Sequence, residues 1–158
     1  MTINGIPVHP LIVHGAVVFV PLALVFAALQ FVPRIRRAMT FIAGCAGVLA
    51  FIFVALAHNT GEQLQAELPN NPAIIQHADQ AGTIMPLTFA TGALLAILAI
   101  LELPAPAALV QVRDRIHSYP AVLPIVRIAA LLLGVVSVVE IVLIGDSGAA
   151  AVWHGVVR

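Results

Sequence analysis

The sequence predicts an all-α membrane protein of four transmembrane helices. Three observations carry that prediction: 61% of the 158 residues are hydrophobic, only 9% are charged, and the apolar residues gather in four long runs. A soluble domain is typically about 45–50% apolar and about 25% charged. Seven basic and seven acidic side chains cannot supply the wet surface a soluble domain of this length needs. Disorder is excluded too, because it requires low hydrophobicity.

A spanning helix needs about 20 mostly apolar residues to cross roughly 30 Å of hydrocarbon. The runs 11–32, 39–57, 84–103 and 125–144 each meet that length in a single domain covering 1–158. Pro21 and Pro86 fall inside spans, where neighbouring helices compensate for a lost backbone bond. Pro10 and Pro72 read as first-turn prolines, with Asn71 as N-cap of a third helix that starts well outside the bilayer. The segment 104–124 is Pro-rich and is expected along the membrane interface. Gly145–Asp146–Ser147–Gly148 reads as a turn ending the fourth span, with Ser147 capping a short helix beyond it. Gly44, Gly47, Gly92 and Gly134 are small residues expected to let helices pack closely.

Arginines set the direction. Arg34, Arg36 and Arg37 fill the first connection, and Arg113, Arg115 and Arg127 fill or border the third. The positive-inside rule places both connections in the cytoplasm. Both termini and the 59–83 connection then face outward, giving an up-down-up-down bundle. The N-terminus lacks the basic n-region of a signal peptide, so the first helix is expected to remain in the mature protein.

Several functional classes fall away. The chain has no lysine and no basic stripe, which removes a nucleic-acid footprint. The lone Cys45 excludes a disulfide framework and, in its apolar run, reads as inert packing. No HExxH, CxxC or CxxCH spacing occurs, and Ser147 lacks the strand–turn–helix context of a nucleophile elbow. No catalytic residue is assigned, and the enzyme question stays open on the sequence with a non-enzymatic reading ahead.

Polar chemistry collects on the outer side. His9, His14, His58, His77 and His154 come from four separate helices to that face, and only His117 lies opposite. Glu62, Glu67, Asp79 and Asp146 join them. Histidines from facing helices are how bundles build metal and cofactor sites, and neutral imidazole suits haem iron, copper or zinc. The candidate cofactor ligands are His14 and His77, with His58 as the replacement for His77. The wider metal-ligating set is His9, His14, His58, Glu62, His77 and His154. Glu140, inside the fourth span, is costly to leave unpaired, so it is expected to be neutral or bonded to His14, Ser137 or a backbone group. Asp146 is a second polar candidate near the same end, and Trp153 an expected interface anchor.

Two stretches, GIPVHPLIVH at 5–14 and GDSGAAAVWHGVV at 145–157, resemble the two ends of an uncharacterised bacterial family of small four-helix integral membrane proteins, a domain of unknown function. Such proteins open on an HPLxVH motif and close on an aromatic-HGV motif. The matching positions are His9, His14, His77, Trp153 and His154, while Asp146 departs from the pattern. The resemblance implies a bacterial plasma membrane and, because some members look like companions of redox proteins, favours haem.

Three functions compete on the sequence. The first is a redox-associated subunit binding b-type haem or a transition metal such as copper or zinc at the outer face. The second is a cofactor-free accessory subunit of a larger membrane complex, such as a respiratory one, or of a homo-oligomer. The third is proton or small-molecule transport through Glu140.

Overall fold

The structure is a computed structural model, and it describes residues 2–3, 5–68, 71–102 and 107–153. A two-residue ladder, β1 (Thr2–Ile3) against β2 (Ile6–Pro7), opens the chain, its turn passing through Gly5 at φ +80°. Glycine occupies that left-handed region without a Cβ clash. All other regular structure among the described residues is helical.

The first helix, α1 (Val8–Leu29), starts three residues earlier than the apolar run and also ends earlier. Pro10 sits in its first turn, where a missing N–H costs nothing. Residues 30–32 leave the helix because Pro33 biases the preceding residue away from helical backbone. Arg36 Nε then donates to the free Gln30 carbonyl at 3.2 Å, satisfying one of the orphan acceptors at the helix end.

Helix α2 (Arg36–Glu67) is far longer than its apolar run, which stops at Ala57. At 32 residues it extends about 48 Å. Hydropathy ends where lipid ends, whereas a helix ends where something breaks it, and no proline follows until Pro69. The added turns carry side-chain pairs at i,i+4: His58 with Glu62 at 3.4 Å and Asn59 with Gln63 at 2.8 Å.

The third span is two helices, α3 (Pro72–Ala81) and α4 (Ile84–Glu102). Asn71 caps α3 as expected, its side chain accepting from the Ala73 N–H at 3.0 Å with Pro72 at the first position. Thr83 marks the break and donates to the Gln80 carbonyl at 2.7 Å. Pro86 therefore falls in the first turn of α4 rather than in mid-span. A helix α5 (Ala107–His117) fills the Pro-rich connection.

The last helix, α6 (Val122–Trp153), corrects one expectation outright: it runs straight through Gly145–Asp146–Ser147–Gly148. Glycine inside a helix costs only about 1 kcal/mol relative to alanine, which tertiary contact readily offsets. Ser147 caps nothing; its hydroxyl donates back to the Ile144 carbonyl at 2.9 Å.

Four helices (α1, α2, α4 and α6) form the bundle. Helix α1 packs on α2 and α6, α4 packs on α2 and α6, and α1 barely touches α4; α3 leans on α6. The expected small-residue contacts are present. A Cβ on Gly92 would lie 2.7 Å from the Gly47 carbonyl oxygen, and one on Gly44 2.7 Å from the Ala99 Cβ. The bundle interior has two apolar layers. One joins Ala16, Val20, Ala50, Val54, Ile84 and Ile141, and the other joins Ala23, Ala27, Ala43, Ala46, Leu95 and Ala130. Between them lies a small cavity with Thr88, Thr91 and Ser137 in its wall.

The outer surface of the bundle is as apolar as its core, with Leu11, Phe41, Phe89, Ile125, Leu132 and Val142 all exposed. Four helices are long and apolar enough to cross a membrane. Such a surface is stable against hydrocarbon, which makes this a multi-pass membrane protein in contact with lipid. Cys45 lies on that exposed surface rather than in the core.

A candidate histidine site at one end of the bundle

Two imidazoles, His9 and His77, lie at one end of the bundle, each turned onto a different neighbouring helix. His9, in the first turn of α1, turns toward α2. Its Nδ1–H donates to the Ala57 carbonyl at 2.9 Å, with Thr60 Oγ1 at 3.4 Å. The ring lies against Gly61, where an added Cβ would come within 3.0 Å of Cε1. His77, on α3, turns toward α6. Its Nδ1 meets Ser147 Oγ at 3.0 Å, and its ring lies against Gly148, where an added Cβ would come within 3.0 Å of Cε1.

The packing register puts these two contacts at one level. Along α1 and α6, Leu24 faces Gly134, Ala27 shares a layer with Ala130, and Ala16 shares one with Ile141. Extending that register outward brings His9 level with Gly148, the residue that supports His77. One layer therefore holds two histidines and two glycines, one from each of α1, α2, α3 and α6. Both rings are partly buried.

A carbonyl oxygen only accepts, so His9 Nδ1 carries the proton that bonds Ala57, which leaves Nε2 as the unprotonated nitrogen of the neutral ring. His77 Nδ1 meets a hydroxyl that can donate or accept, so this contact orients the ring without selecting its tautomer. An acceptor holding one ring nitrogen so that the other can bind a metal is the usual arrangement of metal-ligating histidines.

The remaining candidates lie elsewhere. His14 is exposed on α1 and donates to the Pro10 carbonyl of its own helix at 2.6 Å. His58 pairs with Glu62 on the surface of α2. Asp146 is exposed, and His154 lies outside the described residues. No group of three or more His, Cys, Asp or Glu side chains forms a metal cluster among the described residues.

Glu140 has a partner that the sequence did not indicate. Its Oε2 lies 3.3 Å from Thr83 Oγ1, across α6 and the α3–α4 break, and shares with the nearer Gln80 carbonyl the one proton of that hydroxyl. Ser137, expected as its partner, instead donates to the Leu133 carbonyl at 2.9 Å and meets Thr91 Oγ1 at 3.4 Å. Neither His14 nor a backbone group takes that place.

At the opposite end, Arg127 on α6 is buried and ion-paired with Glu102 on α4. From the sequence alone Arg127 is only an orienting charge at a loop edge. Its position two residues into an apolar run, with Glu102 closing the preceding span, was the available signal. Gln30, also buried, lies one turn from Ala27 and at the level of Arg127.

No protein-family profile, no curated protein and no solved structure matches this chain, so its function must be argued from the geometry at the two ends of the bundle.

Proposed function

We propose that the protein is a small integral membrane subunit that holds a transition metal ion or b-type haem between His9 and His77. The observation that carries this reading is the pair of imidazoles on separate helices at one end of the bundle, each hydrogen-bonded at Nδ1 to a neighbouring helix. Redox association follows the resemblance of the chain's two ends to a family whose members accompany redox proteins. His14 and His58 are supporting outer-face residues in this proposal, not ligands.

The decisive measurement is elemental metal content and optical spectrum of the detergent-purified full chain. One bound ion or one Soret-absorbing group per chain is expected. Either His9→Ala or His77→Ala should lower occupancy to below about a tenth, since loss of a direct ligand exceeds the roughly 10–100-fold cost of losing a group that only orients a ligand. His14→Ala should leave it unchanged. A metal-free, colourless protein that also fails to take up added metal or haem would overturn the reading in favour of a cofactor-free accessory subunit.

The orientation belongs to the same proposal. Gly47 lies on Gly92 and Gly44 on Ala99, and His9 lies on Gly61 while Phe19 stacks on Phe53. These contacts progress in opposite directions along successive spans, which supports an up-down-up-down arrangement. Together with the arginine distribution, they support both termini and the histidine layer being extracytoplasmic in a bacterial plasma membrane. In a Cys45→Ala background, a membrane-impermeant maleimide should label Gln76→Cys on intact cells. Ser118→Cys should react only after permeabilisation. The reverse pattern would invert the topology.

A further inference from the structure

We propose that the turn between α1 and α2 binds the headgroup of an anionic phospholipid, with Arg34, Arg36 and Arg37 taking its phosphate. The turn lies at the end of the bundle opposite the histidines, and its role is independent of the metal reading.

Helix length sets the depth of the turn. With 22 residues, α1 extends about 33 Å, close to the roughly 30 Å of a hydrocarbon core. Residues 30–35 therefore follow at headgroup level, and α2 opens there with Arg36 and Arg37. The side chains match that depth. Phe31, Val32 and Ile35 are 44%, 43% and 40% exposed, and they interleave with the exposed Arg34 and Arg37. Apolar and cationic groups side by side fit the boundary between acyl chains and phosphates. A soluble acidic protein would have to pass the headgroups to reach them.

The charge of the turn is uncompensated. Gly44 lies on Ala99, and Arg127 pairs with Glu102. These contacts bring the α1–α2 turn and the connection carrying α5 to one end of the bundle. Six arginines stand at that end against two carboxylates, Glu102 and Asp114. Glu102 is taken by Arg127, and Asp114 lies 3.7 Å from Arg113. Arg34, Arg36 and Arg37 have no carboxylate partner among the described residues. The residue type matters as well, because the chain uses arginine and no lysine. A planar guanidinium can give two parallel hydrogen bonds to a phosphate, whereas an ammonium acts as a point charge.

Arg36 is already held in position. Its Nε donates to the Gln30 carbonyl at 3.2 Å, and its own carbonyl accepts from the buried Thr40 hydroxyl at 2.9 Å. Fixed at Nε, the guanidinium keeps its terminal N–H groups for a ligand. The backbone of the turn is equally well tied. The Ile35 N–H bonds the Val32 carbonyl at 3.2 Å, and the Met39 N–H bonds the Ile35 carbonyl at 3.0 Å. Pro33 fixes φ between them. A turn ordered in advance loses little entropy on binding.

Native mass spectrometry of the detergent-solubilised full chain, titrated with phosphatidylglycerol or phosphatidylcholine, reads the lipid bound per chain. Both lipids carry a phosphate, but choline cancels the charge of the second. One phosphatidylglycerol should bind more than about tenfold more tightly than phosphatidylcholine. Arg34→Gln, Arg36→Gln and Arg37→Gln should each weaken it by about fivefold, the loss expected for one arginine at a lipid surface. The triple replacement should remove the preference. Arg36→Lys, which keeps the charge without the fork, should fall between the unsubstituted protein and Arg36→Gln. Joint replacement of Arg113 and Arg115 by glutamine should leave the preference largely intact. Circular dichroism and thermal unfolding check the fold of each variant, and the exposed positions 34 and 37 give variants that should keep it. Equal binding of the two lipids, or a preference that survives the triple replacement, would overturn the proposal. So would a preference lost just as fully with Arg113 and Arg115. Displacement of the lipid by an equal concentration of inorganic phosphate would make free phosphate the ligand instead. Tighter binding of soluble polyglutamate than of phosphatidylglycerol would make the partner an acidic polypeptide, and would overturn the lipid assignment as well.

Discussion

Replacing Arg127 with alanine is expected to destabilise the bundle by about 3–5 kcal/mol, because Glu102 would be left as a buried, uncompensated charge. Both side chains are largely shielded, at 9% and 17% exposure, so water cannot take over the role of the missing guanidinium. The same physics predicts a very different outcome for the pair. Taking two charges out of water costs several kcal/mol per ion, and their attraction only repays it when geometry is good. The joint replacement Glu102→Leu with Arg127→Met should therefore lie close to the unsubstituted protein or above it. Arg127→Lys keeps the charge but loses the planar fork, and should fall between. Thermal unfolding in detergent reads all four proteins. At roughly 2–4 °C per kcal/mol for a chain of this size, the alanine variant should melt about 6–20 °C lower. Equal losses in the single and joint replacements would show that the pair itself, and not the avoidance of a lone charge, holds the helices.

Gly92→Leu should be the most damaging apolar substitution in the bundle. Even one methyl group there would sit 2.7 Å from the Gly47 carbonyl oxygen. Backbone on backbone leaves no flexible side-chain end to move aside, so α2 and α4 must separate. Overpacking costs typically about 1–3 kcal/mol, and Gly92→Ala should show that loss. Gly92→Leu should exceed it and fail to accumulate in the membrane. In contrast, Gly134→Ala meets Leu24 Cδ1 at 3.3 Å, a side-chain end able to give way, and should cost little. Gly145→Ala meets nothing within 4 Å and should raise stability by up to about 1 kcal/mol through helix propensity alone. A series in which Gly92 and Gly145 behave alike would remove the close-approach account.

The histidine layer and the ion pair share one lesson about the sequence. Both depend on which side of a helix faces inward, and in these helices almost every side is apolar. His14 and His9 are five residues apart on α1, so they point in different directions; no amphipathic pattern says which one faces the bundle. The first choice, His14, turns outward, while His9 reaches α2. Hydropathy likewise hid the length of α2 and the continuity of α6. It records where lipid contact ends, not where backbone hydrogen bonding does.

What the sequence determined alone is the class and the count. Low charge and four apolar runs of spanning length require a multi-pass helical membrane protein, because only lipid can solvate such a surface. It also marked Asn71 as a cap and Gly44, Gly47, Gly92 and Gly134 as contact residues, since those roles depend on local geometry or on size. Tertiary structure alone decided that His9 meets Ala57 and His77 meets Ser147, that Thr83 lies beside Glu140, and that Arg127 is buried against Glu102. Each of those pairs joins residues distant in the chain through a helix–helix register, and register is a property of packed side chains that no single run of residues contains.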